Sequence, residues 1–484
     1  MAKAFNPSEF HWYYQLKPCS LRVYLREQGI EPAEPDSYQQ LLQKLGERHE
    51  KRHLASLGAY FDANGGIEAT REAVARTERV IYQPGLRAVH AEYGEIEGVP
   101  DFFIRDGDRY LLRECKLARR FSEEYHAEIF RQLELYGWLY EQTFGVQPTR
   151  LEAYMGDGSL RTIPYHPQLA LEVLASIQQI KRMSSEPVDP IGWSKCMDCG
   201  FRQFVWNRAE RRHDVALLPS VDQALTRALY SEGITTYDAL YGKHTEMTLA
   251  AVKKNVGRRE RAVGTKAAKR ILCEAKAHIS NRVIVLQPPG VKIAPNVVGF
   301  DVEGIPPHLD HSEKTYMWGL KVFGEKPKSS IAALAGVGAE GDEQGWREFL
   351  EACRGMFDEY GDPPFIHWSP YERTQVRKYV DKYGDANGVA ARVLANLYDL
   401  YPLVEEALVL PIPSYSLKIV EVVAGYTRKM GEAGGKWSMA TYIEAIETED
   451  ARKATELIAQ IVAYNEEDLN ALWAVYQWLR KLEG

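Results

Sequence analysis

Apolar and polar positions alternate in three different styles along the chain. Up to about residue 210, helical periodicity mixes with short strand-like runs. The clearest of these is Phe102-Phe103-Ile104, followed by a polar turn at Asp106-Gly107-Asp108 and a second run from Arg109 to Lys116. That pattern predicts a β-hairpin. From about 211 to 282 the pattern is nearly all helical, with turns at Ser231-Glu232-Gly233 and Val263-Gly264. Gln287-Pro288-Pro289-Gly290, running on to Pro295, predicts a linker. From about 296 strands and helices alternate again, opening with an apolar strand from Asn296 to Glu303. No tandem repeat or low-complexity tail interrupts these blocks. They predict an α/β multidomain chain divided as 1–210, 211–290 and 291–484.

The pattern places chemistry as well as structure. On a strand, residues two apart share a face, so Glu114 and Lys116 point one way and Cys115 the other. The hairpin brings Asp101, at the start of one strand, near Glu114 at the end of the next. Two carboxylates supply hard oxygen ligands for Mg²⁺ or Mn²⁺, and an adjacent lysine can orient a water and offset transition-state charge. Asp301 and Glu303 share a strand face in the same way. Gln132 and Tyr136, and Tyr464 and Asp468, lie at i and i+4, each pair on one helical face.

Composition narrows the setting. Hydrophobic residues make up 45% of the chain and charged residues 26%, ordinary values for globular domains. No apolar run approaches the ~18 residues that a membrane span needs. The first fifteen residues lack a leader-like apolar core, so a cytoplasmic protein is expected. Six cysteines are too few for a disulfide scaffold. Cys196 and Cys199 sit close together, a spacing that reads as metal or redox chemistry. The net charge of -7 gives no global sign of nucleic-acid binding, but residues 253–270 hold eight Lys or Arg against one Glu. That run is either a phosphate-neutralising stripe or a solvated helix face.

Several of these groups resemble known families. Pro100-Asp101 with Glu114-Cys115-Lys116 resembles the PD-(D/E)xK nuclease signature. Gln132 to Tyr136 matches the QxxxY motif of the RecB-like branch, and Leu45-Gly46-Glu47-Arg48-His49-Glu50 matches its helix with a metal-binding histidine. The resemblance implies a restriction-endonuclease-like domain. Its metal is held by His49, Asp101 and Glu114, with Lys116, Gln132 and Tyr136 completing the site. Iron–sulfur members of that branch carry one cysteine before the core and three after it. Cys19, Cys196 and Cys199 fit the first three places, but Val205 stands where the fourth cysteine is expected. A [4Fe–4S] cluster normally uses four thiolates, so a cluster, a zinc site and plain buried thiols all remain open. Cys115, Cys273 and Cys353 read as core.

The helical middle resembles helix-hairpin-helix units around residues 217–236 and 262–271. Such units offer backbone N–H groups at a helix N-terminus to phosphate, blind to base sequence. The candidates are Gly264, Lys266, Lys269 and Arg270; the alternative is that these helices only pack domains together. Phe300-Asp301-Val302-Glu303 with Tyr464 to Asp468 resembles the DEDDy exonucleases, which have an RNase H-like fold, use two metals and degrade strands 3′→5′. In those enzymes an N-x-x-x-D pattern supplies a further carboxylate. Here Trp368 replaces the Asn and Glu372 the Asp, with Asp399 a rival or additional ligand. Ser414 to Lys418 completes the motif order, and Tyr464 is expected to position the attacking water. The whole order resembles RecB-like nucleases that carry a C-terminal RNase H-like domain. It implies metal-dependent hydrolysis of DNA, at ends or on single strands, at two sites. The alternatives are a DNA-binding adaptor with degenerate sites that recruits a helicase or another nuclease, and an RNA exonuclease activity of the C-terminal domain.

Overall fold

The computed structural model describes residues 7–14, 18–119, 121–123, 126–306, 313–336, 338–430 and 434–483. The start of the expected leader-free N-terminus, residues 1–6, and Gln15 to Lys17 before Cys19 lie outside the described residues. The chain divides into two compact units, Met1–Asp189 with Ser194–Gln203, and Pro190–Trp193 with Phe204–Gly484. No helix among the described residues is long and apolar enough to cross a membrane.

The first unit is built on a six-stranded mixed sheet ordered Phe61–Asp62, Val80–Tyr82, Phe102–Asp106, Arg109–Lys116, Leu151–Met155, Leu160–Ile163. The hairpin of Phe102–Asp106 with Arg109–Lys116 forms in the expected place, with Phe102 opposite Arg113. Strand alternation sends its apolar residues to both faces. Phe103, Tyr110 and Leu112 join a core with Leu133 and Tyr140 of the helix Ala127–Phe144. Phe102 packs with Val80 and with Leu54 of the helix Ser37–Leu57 on the other face. That helix is held at its start by a capping box between Asp36 and Gln39. The catalytic candidates Glu114 and Lys116 therefore continue the face that meets the Ala127–Phe144 helix.

The second unit contains a five-stranded sheet ordered Ile331–Leu334, Lys314–Gly324, Asn296–Ile305, Phe365–His367, Leu397–Asp399. The first three strands are antiparallel and the last two run parallel to Asn296–Ile305. On this central strand Val298, Phe300 and Val302 enter a core with Trp318, Trp346 and Phe349. Val297 faces the other way, into a core with Leu469 and Leu472 of the long helix Ala451–Lys481. Asp301 and Glu303 share Val297's parity, so alternation alone turns them toward that helix.

The middle of the chain departs from the all-helical expectation. The turns at Gly233 and Gly264 form as expected, but Lys253–Val256 and Arg259–Ala262 pair as an antiparallel hairpin. The two-residue loop Gly257-Arg258 closes it with Gly257 at φ 61°, the Gly-first form of a tight hairpin turn. The residues of this segment are largely exposed, so no apolar stripe directs them into a helix. The expected linker is also tied down. Val291 is buried in the C-terminal core; its N–H donates to Glu483 at 2.6 Å, and that of Lys292 to the Tyr398 hydroxyl at 2.8 Å.

Candidate active sites

In the first unit, Asp101, Glu114, Lys116, Gln132 and Tyr136 come together in one hydrogen-bonded array. The Asp101 N–H donates to Glu114 Oε1 at 3.1 Å, and the Cys115 N–H donates to Asp101 Oδ2 at 2.7 Å. The two acids are thus locked across the hairpin mouth. Lys116 Nζ donates to Glu114 Oε2 and to Gln132 Oε1, both at 3.0 Å. Gln132 Nε2 donates to the Tyr136 hydroxyl, which donates on to the Val99 carbonyl, each at 3.2 Å. Gln132 and Tyr136 therefore aim the lysine. Burial, then Glu114 and Glu50, push the Asp101 carboxyl well above its ordinary value. Burial works against the Lys116 ammonium, but Glu114 and Asp101 outweigh it and hold its pKa above the usual range. The cation stays charged beside an acid that resists charge, an arrangement common at functional sites.

His49 stands apart from this array. Its Nε2 lies 3.3 Å from the Tyr154 carbonyl and its ring stacks on Tyr154 at 5.0 Å. With Nε2 serving as the donor, only Nδ1 is left for a metal. Sequence reasoning passed over Glu50, the next residue on the helix, although its charge bears directly on Asp101.

In the second unit, Asp301, Glu303 and Asp468 bring ligand atoms within 4.8 Å of one another, the one such group among the described residues. Burial, reinforced by Asp468, pushes both strand acids up, Asp301 well above the usual range and Glu303 to about 8. Glu372 is buried and is likewise raised, chiefly by burial, but like Asp399 it lies outside that close group. Its Oε2 lies 3.3 Å from His367 Nδ1, but that N–H points instead at the Ser369 carbonyl, 2.8 Å away. The oxygen makes no hydrogen bond. A buried, unspent carboxylate oxygen costs about 1–3 kcal/mol or more, and the three close acids supply hard oxygen donors that fit a divalent cation.

A strained turn places Glu372 there. Ser369 adopts φ 83°, rare for a residue with a side chain. Asp399 Oδ1 accepts its N–H at 3.0 Å and also that of Tyr401 at 3.0 Å. Asp399 thus caps the helix Leu400–Ala407 and supports the turn, and lies outside the close acidic group. Trp368, standing where an Asn was expected, donates its indole N–H to the Tyr415 carbonyl at 3.2 Å.

Tyr464 is buried against the acids, with Lys418 Nζ 4.9 Å from its ring centroid. Burial, then Asp468, push its hydroxyl pKa up. Three further residues went unpredicted. Asn465 Nδ2 donates to Asp301 Oδ2 at 2.6 Å. Arg428 pairs with Asp468 and Glu421. Gly319, opposite Asp301 in the sheet, leaves the space that Asn465 occupies, since a Cβ there would lie 1.8 Å from Asn465 Oδ1. A glycine inside a strand signals such close approach.

The remaining candidates are placed as follows. Cys19 and Cys196 are buried and Cys199 is half-buried, and burial raises the Cys19 thiol. None joins the close ligand group. Val205 is buried in the helix Arg202–Arg211. Gly264 spends its N–H on the Ala250 carbonyl, so it offers no donor to phosphate. Arg270 spends its guanidinium on Glu274, the Glu405 carbonyl and the Tyr415 hydroxyl; it packs the helix Thr265–Ser280 rather than facing solvent. Lys266 and Lys269 are exposed. They line a cleft of about 770 Å³ together with Tyr401, Tyr415, Glu405 and Glu406.

The class that the C-terminal fold and its acids define is an RNase H-like domain of nuclease type. Residues 299–480 match the family model described as RNase_H superfamily. No curated protein matches the chain. A solved structure, the crystal structure of SSO0001, is similar over 42% of this chain and 84% of its own, at 15% identity and a TM-score of 0.25.

Proposed function

We propose that this chain is a metal-dependent nuclease with two separate hydrolytic sites acting on DNA ends or single strands. One is a PD-(D/E)xK site of RecB-like type at Asp101, Glu114 and Lys116. The other is a DEDDy 3′→5′ exonuclease site at Asp301, Glu303, Glu372 and Asp468. The observation that carries the reading is the convergence of Asp301, Glu303 and Asp468 on one small volume inside an RNase H superfamily domain. Divalent cations held there would polarise the scissile phosphodiester and lower the pKa of an attacking water. The chain's own residues do the rest. Asn465 orients Asp301, the Asp399-supported turn presents Glu372, and Tyr464 offers a hydroxyl beside the acids. In the first unit, Gln132 and Tyr136 aim Lys116 at the place where charge develops. Lys266 and Lys269 supply positive charge for strand binding.

The test is degradation of 5′-labelled single and double strands, DNA and RNA, with Mg²⁺ or Mn²⁺. A Lys116→Ala protein should produce a descending ladder that Asp301→Asn removes. No ladder with any metal or polymer would sink the C-terminal assignment in favour of a binding adaptor. A ladder on RNA alone would reassign the substrate.

A further inference from the structure

Arg428 is the part of the C-terminal site that the acids do not explain. Its Nε donates to Glu421 Oε1 at 2.6 Å, and its Nη2 donates to Glu421 Oε2 at 2.8 Å and to Asp468 Oδ1 at 2.5 Å. Nη1 is buried and donates to nothing. The Arg428 side chain is 9% exposed and that of Glu421 3%. A guanidinium carries five N–H donors in a fixed fork. Three are spent, and the two on Nη1 remain unspent where water cannot satisfy them. Glu421 is not among the closely grouped acids, so its buried charge is accounted for by the fork it grips. Because that fork is planar, a two-point grip by Glu421 also fixes the direction of Nη1. Arg428 Cζ lies 5.9 Å and Lys418 Nζ 4.9 Å from the Tyr464 ring centroid, so two cations border the tyrosine beside the acids.

We propose that Arg428 is a ligand for the substrate phosphate. Glu421 aims it, Asp468 holds it until a divalent cation takes that carboxylate, and its Nη1 edge receives a non-bridging oxygen of the phosphodiester. The proposal rests on the metal-site reading above. It makes two affinities move in opposite directions. Guanidinium and metal compete for Asp468, so each weakens the other. Guanidinium and phosphate attract, so losing Arg428 weakens the strand. A residue that only braced the fold would not separate the two.

The experiment uses the full chain in an Asp101→Asn background, which disables the N-terminal site. The double variant Arg428→Gln/Glu421→Gln replaces the Arg428–Glu421 ion pair by neutral amides, so Glu421 is not left as an unpaired buried charge, and it leaves Asp468 free for the metal. Mn²⁺ affinity is read by calorimetry, and strand affinity by anisotropy of a labelled single strand in Ca²⁺. The double variant should bind Mn²⁺ about tenfold tighter and the strand about tenfold weaker, with the salt slope reduced by about one unit. Both affinities unchanged, or both weakened, overturns the proposal. Arg428→Lys keeps the charge without the fork, so it should retain the parent's Mn²⁺ affinity and still lose strand affinity. Parent-like strand affinity in that variant overturns the proposal too. If the parent shows no Mn²⁺ binding that Asp301→Asn abolishes, the metal-site reading itself fails and this proposal falls with it.

Discussion

At Asp101 and Glu114 the nearest cation is Lys116, two residues along the same strand, with Nζ 3.0 Å from Glu114 Oε2. At Asp301, Glu303 and Asp468 the cation in contact is Arg428, which reaches Asp468 from outside both elements that carry the acids. In the first site the charge balance is set by backbone alternation, and the lysine cannot leave its carboxylate far behind. In the second it is set by a side-chain contact between separate elements. The first site thus has a resident positive charge built into its strand. The second gathers more acid than its own cations balance, which adds to the burial that drives its strand acids up.

The largest expected effect tests whether the two sites are independent. Asp101→Asn and Asp301→Asn should each remove only their own activity, by about 10²–10³-fold or more, since each deletes transition-state electrostatics at one site. Single-turnover cleavage of end-labelled strands by each variant and by the double variant checks this. One substitution that silences both activities breaks the comparison, because the sites would then be one.

A second prediction concerns acid stability and belongs to the first unit alone. His53 Nε2 lies 3.1 Å from Arg113 Nη1, and its ring stacks on Tyr154 at 3.8 Å. Burial first, then Arg113 and His49, lower its pKa from 6.5 to about 4. The folded state therefore favours the neutral ring. That contribution is fully present above the unfolded value and is lost as pH falls from 6.5 toward about 4. At 1.36 kcal/mol per unit it amounts to at most about 3 kcal/mol. His53→Gln keeps an acceptor for Arg113 and cannot titrate. The stability gap between wild type and His53→Gln, from urea unfolding of the full chain, should shift against wild type between pH 7.5 and 5. A gap independent of pH would remove His53 from the account.

The same contrast explains what was legible in the sequence. The first site lies between Asp101 and Tyr136, where a hairpin and one helix turn fix every relation by strand parity or i,i+4 spacing. Both halves of the second site's acidic group obeyed those rules as well. Asn465, Glu421, Arg428 and Lys418 did not, because their positions depend on how separate elements pack. Gly319 did carry a signal, a glycine in the middle of an apolar strand, but only the partner that fills its space gives it meaning. The 253–262 hairpin is hidden in the sequence because its charges fit a phosphate-neutralising stripe or a solvated helix face equally well, although Gly257 between two short polar runs marks a turn. Gly319→Ala turns the Asn465 reading into a measurement. The added methyl must displace Asn465, so it should cost about 1–3 kcal/mol and lower the melting temperature. Asn465→Ala should relieve much of that cost in the double variant. Purely additive losses would show that the two residues are not coupled.

The smallest effect separates neighbouring charges on the helix Thr265–Ser280. Arg270 spends its donors on Glu274, the Glu405 carbonyl and the Tyr415 hydroxyl, while Lys266 and Lys269 are exposed at the cleft. A bound strand can therefore recruit the lysines without breaking a buried interaction, and it cannot recruit Arg270 so cheaply. Glu405 and Glu406 line the same cleft, so the lysines must act at its rim for phosphate to approach. Lys266→Glu with Lys269→Glu should weaken strand binding alike for every sequence and flatten the salt slope by about one unit per lost contact, with little change in melting temperature. Arg270→Gln should do the reverse. It leaves Glu274, 1% exposed, without its charged partner and so lowers stability, while the salt slope stays near that of wild type. If Arg270→Gln flattens the slope as steeply as the lysine pair does, the guanidinium leaves Glu274 and Tyr415 for the phosphates. The helix would then be a mobile reader of the strand rather than a packed support.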